Sequence, residues 1–392
     1  MTSRERLLTA LRGGVPDRLP VTTHHLMPSF LRAAGFASDR EFFDRYDLDA
    51  IQWITPLLPD AARGVETDPE VDLSVESWSF VSDQWRVERE ESGQTPSRKG
   101  TTGSGPICST RYRCITPRGT LSTALQDDGH TVWVTERLIK NKNDVDVIAD
   151  FAPVPRCHAD PVQAAATAIG QRGIVRGAIP GFALYGQPGC WQDAAVMVGI
   201  EALILATYDD PEWVLALLGV LRDRKLAFVN STDGVPFDLL ELGGGDASST
   251  VISPSIFSRF VAPFDAPLIA AAHAAGQRVV YHTCGGMMPL LERIAGMEPD
   301  AMETFTPPEM GGDTRLAEAK SRIGDRVCMI GGFDQGHYFV GCTPSETRHA
   351  VRACFDQAGG GGGFILAPSD HFFDADDRLL SAFGEEAHRC CY

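Results

Sequence analysis

No apolar run in this 392-residue chain reaches the roughly 20 residues needed to cross a bilayer. The N-terminus carries charges inside a helical pattern, Thr2 to Leu11, and lacks the apolar core of a secretory signal. Positive charge is scarce as well. Against 52 Asp and Glu stand 35 Lys and Arg, a net charge of −17, which repels phosphate backbones and sets nucleic acid aside as a partner. The glycine runs at 243–245 and 359–363 lack the spacing and the opening helix of a dinucleotide fingerprint. Ten cysteines are present, but their spacings form neither a disulfide framework nor a paired zinc knuckle. Cys390 and Cys391 read as incidental thiols, and Cys328 and Cys354 fall in apolar patterns that read as core. What these absences leave is a cytoplasmic globular protein with a small-molecule substrate. A composition of 43% hydrophobic and 22% charged residues agrees.

What is present is a regular alternation of strand and helix patterns. Strand signals fall at Val21 to His25, Ile51 to Pro56, Gly173 to Ala178 and Phe237 to Leu242, then at Arg278 to His282, Ala301 to Phe305, Arg326 to Ile330 and Gly363 to Leu366. Helical periodicity separates them, as at Asp193 to Tyr208, Trp213 to Phe228 and Ser345 to Gln357. Eight such units predict a single-domain (β/α)₈ TIM barrel over residues 1–392. Residues 70–125 break the rhythm. There the alternation of Val, Trp and Phe with polar residues from Val71 to Glu90, together with Arg111 to Leu125, predicts a small antiparallel excursion, a β-hairpin insertion near one barrel mouth. Trp78, Trp85 and the cluster Arg111, Arg113 and Arg118 would either touch a ligand there or pack as a surface flap.

Polar chemistry collects after the later strands. Leu242 is followed by Gly-Gly-Gly-Asp, Tyr281 by His-Thr-Cys-Gly-Gly, and Glu303 by Thr-Phe-Thr-Pro-Pro; Ile330 is followed by Gly-Gly-Phe-Asp-Gln and Leu366 by Ala-Pro-Ser-Asp-His. In a barrel these ends converge on one cavity. His282 and Cys284, two apart at a strand end, offer an imidazole nitrogen and a thiolate sulfur, both good Zn²⁺ ligands. The alternative is a substrate-binding histidine beside a space-filling cysteine. Asp370, His371 and Asp246 are available as a third ligand, and Asp334 as an orienting group or base. Asp246 also suits a helix cap, and Asp334 a turn.

The stretches 253–264, 273–286, 329–335 and 362–371, with 209–218, resemble the uroporphyrinogen decarboxylase superfamily, and the resemblance independently implies the barrel. True decarboxylases of this group carry an arginine-rich motif near the N-terminus. The corresponding place here, 24–36, offers only Arg32, so tetrapyrrole decarboxylation is not expected. The other branch resembles zinc-dependent methyltransferases that move a methyl group between a corrinoid and a thiol or folate. Their zinc motif, His-x-Cys with a distant Cys, matches His282 and Cys284, and Asp370 stands where the second cysteine would be. The resemblance therefore implies Zn²⁺ held by His282, Cys284 and Asp370; Asp334, His371 and Asp246, from the polar loops, are the candidate catalytic groups. The cobalamin would arrive free or on a separate corrinoid protein, since no corrinoid-binding segment is apparent. A homodimer is also expected. A decarboxylase or lyase acting on a small carboxylate, and a non-catalytic binding barrel, are the alternatives.

Overall fold

The computed structural model describes residues 1–54, 78–81, 84–95, 107–128, 132–182 and 187–392. In chain order its strands are β1 (Ala50–Ile54), β2 (Trp78–Val81), β3 (Arg86–Thr95), β4 (Ile107–Thr116), β5 (Gly119–Asp127), β6 (Val132–Glu136) and β7 (Val154–Cys157). They continue with β8 (Gly173–Ala178), β9 (Leu239–Gly243), β10 (Val279–His282), β11 (Ala301–Thr304), β12 (Cys328–Phe333) and β13 (Phe364–Pro368). Seven of them, β1 and β8 to β13, form one parallel sheet in sequence order.

The closed eight-stranded barrel expected from the sequence is not formed. At the eighth position, Val21 to His25, only one residue pairs: Val21 makes a single parallel bridge to Leu366. The cause is local. Pro20 has no N–H to donate, and the Val21 N–H is taken by the Asp49 Oδ2 carboxylate at 3.0 Å instead of a strand carbonyl. The Thr22 amide bonds Leu366 O at 2.9 Å, and the Asp49 amide bonds Val21 O at 2.7 Å. A side chain thus occupies the place of a ladder rung on the β1 side. The result is an open, incompletely closed barrel of seven parallel strands.

Strand alternation sorts side chains between two faces. Outward residues such as Val175, Leu240, Tyr281, Met302, Met329 and Phe364 join the large core under the helices. Inward residues Ile51, Ile174, Leu239, Val280, Ala301, Cys328 and Ile365 form a second core, plugged by Leu7, Ala10 and Leu11 of the helix Ser3–Leu11. Thr2 and Glu5 close that helix with a capping box. Cys328 and Cys354 are buried, as their patterns indicated.

The helical pattern at Asp193 to Tyr208 is two helices, Cys190–Val198 and Ile200–Asp209, separated by Gly199 at φ 100°, a value that L side chains rarely adopt. The helix Pro211–Asn230 starts at Pro211 with Asp210 as its cap. Among the described residues one helical stretch, Pro254–Ala274, is long and apolar enough by length and composition to cross a membrane, and the bent pair Cys190–Val198 and Ile200–Asp209 passes only if taken together. It buries Phe257, Phe260, Phe264, Leu268 and Ile269 in the core.

The antiparallel excursion is a four-stranded sheet, β3-β4-β5-β6, beside a two-stranded one, β2-β7. The hairpin signal at Val71 to Glu90 falls partly outside the described residues, as does the Trp78 side chain; β2 pairs with β7, and β3 with β4. Trp85 is buried, its ring 5.8 Å from that of Phe182. Arg111, Arg113 and Arg118 are ion-paired to Glu136, Glu88 and Asp150.

Gly331 gives the fold a sharp test. Its φ is +124°, and a Cβ there would lie 1.9 Å from the Thr304 carbonyl oxygen. Gly331→Ala should therefore cost at least about 3 kcal/mol in urea unfolding, or abolish soluble folded protein. Gly360→Ala, where a Cβ meets nothing within 4 Å, should stay within about 0.5 kcal/mol of the parent.

Candidate active site

The inward faces change character one step along the strands. Two residues beyond Ile174, Leu239, Val280 and Ala301, the same faces carry Arg176, Glu241, His282 and Glu303. Strand register sets His282 opposite Glu303. Arg176, 1% exposed, donates from Nη1 to Glu303 Oε2 at 2.8 Å and from Nη2 to Glu241 Oε2 at 3.0 Å, and it also bonds Glu303 Oε1. Its guanidinium carbon sits 4.1 Å from the Trp53 ring centroid, a desolvated cation–π contact of about 2 kcal/mol. Glu303 Oε1 accepts from His282 Nδ1 at 2.9 Å.

Two chain ends complete the mouth. The segment after Val21 supplies His24 and His25, and the loop after β13 supplies Asp370 and His371. The His24 ring stacks on His282 with centroids 5.2 Å apart, and it lies 4.7 Å from the His371 ring. His371 Nδ1 lies 3.0 Å from the His25 carbonyl oxygen. A carbonyl can only accept, so Nδ1 carries the hydrogen and Nε2 keeps its lone pair in the neutral ring. Asp370 Oδ1 accepts the His371 amide at 2.7 Å. Buried Gln335 clamps the loop: Oε1 accepts the Ser369 amide at 2.9 Å and Nε2 donates to the His371 carbonyl at 3.3 Å.

The electrostatics follow from this packing. Burial works to raise the Glu303 carboxyl, but the Arg176 charge and the hydrogen bonds from His282 and Arg176 hold it well below the usual range. Burial likewise opposes the His282 imidazolium. Hydrogen bonds with Cys284 and Glu303, and the charges of Glu303 and Glu241, outweigh it and keep this pKa well above the ordinary value. His24 has no such compensation: burial pushes it well below, with Glu303 opposing only in part. Burial, with His371 and Arg176 nearby, lowers His25 to about 4.

Two sets of potential metal ligands meet within 4.8 Å among the described residues: His24, Asp370 and His371, and His24, His282 and Glu303. His282, Asp370 and His371, singled out from the sequence, therefore gather around His24. Cys284 belongs to neither set. It faces Gly245, where an added Cβ would lie 2.6 Å from its sulfur. Asp246 is tied to Gln192, donating its amide to Oε1 at 2.6 Å and accepting from Nε2 at 3.0 Å; burial raises its pKa despite that bond. Asp334 caps the short helix after it, accepting the His337 amide at 3.0 Å.

Sequence reasoning did not select His24, His25, Arg176, Glu241 or Glu303. A signal for the last three existed, since alternation from the apolar inward residues places each of them on the inner face. His24 and His25 were visible as the end of a strand pattern, but nothing in chain order links them to residues nearly 350 positions away.

Residues 126–373, more than half of the chain, match the family described as uroporphyrinogen decarboxylase (URO-D). The chain belongs to that family. Among solved structures, a methyltransferase from Methanosarcina mazei is similar over 99% of both chains, with a TM-score of 0.63 and 12% identity, which establishes a shared fold. A B12-independent methionine synthase from Shewanella sp. W3-18-1 covers 60% of this chain and 70% of its own, at 8% identity and a TM-score of 0.38. No curated protein matches.

Removing one member of the buried ion pair should be worse than removing both. Arg176→Met leaves Glu303 buried against reduced compensation and should cost about 3–5 kcal/mol in denaturant unfolding, of which the double variant with Glu303→Gln should regain a substantial part. Acid should also weaken the fold through His25. Its folded pKa is depressed, so below about 6.5 the unfolded chain takes up a proton that the folded ring refuses. Stability should fall with pH from about 6.5 to about 4 through this residue, and His25→Phe should flatten that slope in thermal melts recorded across the range. His282, shifted upward, contributes in the opposite sense: its stabilisation is present below the ordinary histidine pKa and is lost as pH rises through the elevated folded value.

Proposed function

We propose that this protein is a zinc-dependent methyltransferase, moving a methyl group between a corrinoid and a thiol or folate acceptor. The observation that carries the reading is the convergence of His24, His282, His371 and Asp370 at one barrel mouth, with His282 and His371 each fixed by a hydrogen bond on Nδ1. Family membership and the full-length fold likeness to a protein described as a methyltransferase support it. The donor set fits zinc, because imidazole nitrogen and carboxylate oxygen are ordinary ligands of that ion. When bound, zinc lowers the pKa of a thiol so that thiolate is available at neutral pH.

The chain's own residues do the positioning. Glu303 holds His282 by its Nδ1–H, and Arg176 keeps Glu303 ionised. Gln335 fixes the loop that presents Asp370 and His371. Proton handling falls to Asp334 and Asp246, the latter with a carboxyl that burial favours in its neutral form. The corrinoid comes from solution or from a separate protein, the location is cytoplasmic, and ten cysteines outside any disulfide suit a reducing compartment. Homodimerisation and a single-domain organisation, with residues 70–125 as an insertion at the mouth, belong to the same proposal.

One observation favours a second reading. The gathered donors are nitrogen and oxygen, with no thiolate among them, and such a set also suits activation of water or polarisation of a carbonyl, as in a lyase or decarboxylase.

Metal analysis by inductively coupled plasma spectrometry should find near-stoichiometric zinc. Incubation with methylcobalamin and a panel of thiols and folates should show demethylation at least about 100-fold above background, abolished in His282→Ala. Zinc without demethylation would favour the lyase, and neither zinc nor demethylation a binding barrel.

A further inference from the structure

The two ligand sets share His24 but differ in what their carboxylates already do. Both oxygens of Glu303 are bonded to Arg176, and Oε1 also accepts from His282. Drawing Glu303 onto a cation would strip a buried guanidinium of its main counter-charge. Asp370 has no such duty. Its Oδ1 accepts one backbone amide, and Oδ2 has no hydrogen bond or ion pair among the described residues. His371 is held through Nδ1 by a backbone carbonyl, the outer-shell arrangement that typically orients a metal-binding imidazole by its other nitrogen. His24 is buried, and its ring makes no hydrogen bond among the described residues. His282 is engaged through Nδ1 by Glu303.

Resting on the reading of this mouth as a metal site, we infer that His24, Asp370 and His371 are the ion's direct ligands, and that Glu303 and Cys284 lie outside its coordination sphere. The site is two imidazoles and one carboxylate with open positions, a set for Zn²⁺, Co²⁺, Mn²⁺ or Fe²⁺ and not a thiolate-rich zinc centre. His282 borders it, stacked on His24 and fixed by Glu303. A second observation adjoins the site at His24, the one of the three ligands that it touches. A cavity lined by Thr22, His24, Arg176, Glu303, Thr304 and Pro368 adjoins His24, and the buried Thr22 hydroxyl in it has no hydrogen-bond partner.

The test uses the full chain, stripped with chelator and reloaded with Zn²⁺ or Co²⁺. Zinc affinity should fall at least about 100-fold in His24→Gln, Asp370→Asn and His371→Gln and change less than about 3-fold in Cys284→Ala, with circular dichroism melts showing that each variant folds. The Co²⁺ form should show visible ligand-field bands without a near-ultraviolet sulfur-to-cobalt charge-transfer band. A charge-transfer band that disappears in Cys284→Ala, or zinc retained in His24→Gln and His371→Gln, would overturn this ligand assignment while leaving methyl transfer standing. The expected metal pattern without methylcobalamin demethylation would sustain the ligand assignment and end the methyltransferase reading. No uptake of either ion by the folded parent would end both.

Discussion

A buried arginine between two glutamates is the constraint around which this mouth is organised. Arg176 reaches from β8 across the open barrel to Glu303 on β11, with Glu241 on the intervening β9 and the Trp53 ring against its face. Taken out of water singly, any of these charges would be expensive; together they are tolerated because each hydrogen-bonds its counterpart. The pair also does something an apolar layer could not. It keeps a carboxylate ionised beneath a histidine, and so holds the Nδ1–H of His282 and favours its cationic form.

The inner face consequently has two levels. Below, Ile174, Leu239, Val280 and Ala301 pack against one another and the N-terminal helix. Above, the same strands turn ionic, and beyond that lies a rim of histidines at different protonation. His282 is stabilised as a cation by its neighbours, whereas His24 and His25 are held neutral by burial. Neutral imidazoles and a carboxylate without a cationic partner are what a divalent ion seeks. The gap beside Val21 belongs to the same design, since the Asp49 side chain that ends the ladder leaves the following residues, His24 among them, outside regular pairing.

Much of this was readable in advance. Seven of eight strand positions follow from apolar runs bounded by glycine and proline, and parallel order follows from the helices between them. Polar loops after Leu242, Tyr281 and Leu366 lie at the end of the sheet where the potential ligands gather. The eighth strand failed because Asp49, 28 residues from Val21, competes for its amide, a contact that no local pattern encodes. Cys284 drew attention by its spacing from His282, yet spacing along a strand end does not say which side chain meets a distant aspartate.

By itself, the sequence determined seven of the eight strand positions expected, which faces are apolar and that polar residues gather at the strand ends, because those properties depend on neighbours two to four residues apart. Only the tertiary structure decided that the barrel stays open, that Arg176 neutralises Glu303, and that His24 joins Asp370 and His371. Those outcomes depend on charges and hydrogen bonds meeting across 28 residues of chain at Val21 and Asp49 and across more than a hundred in the other two, where burial makes each unpaired group costly and so selects its partner.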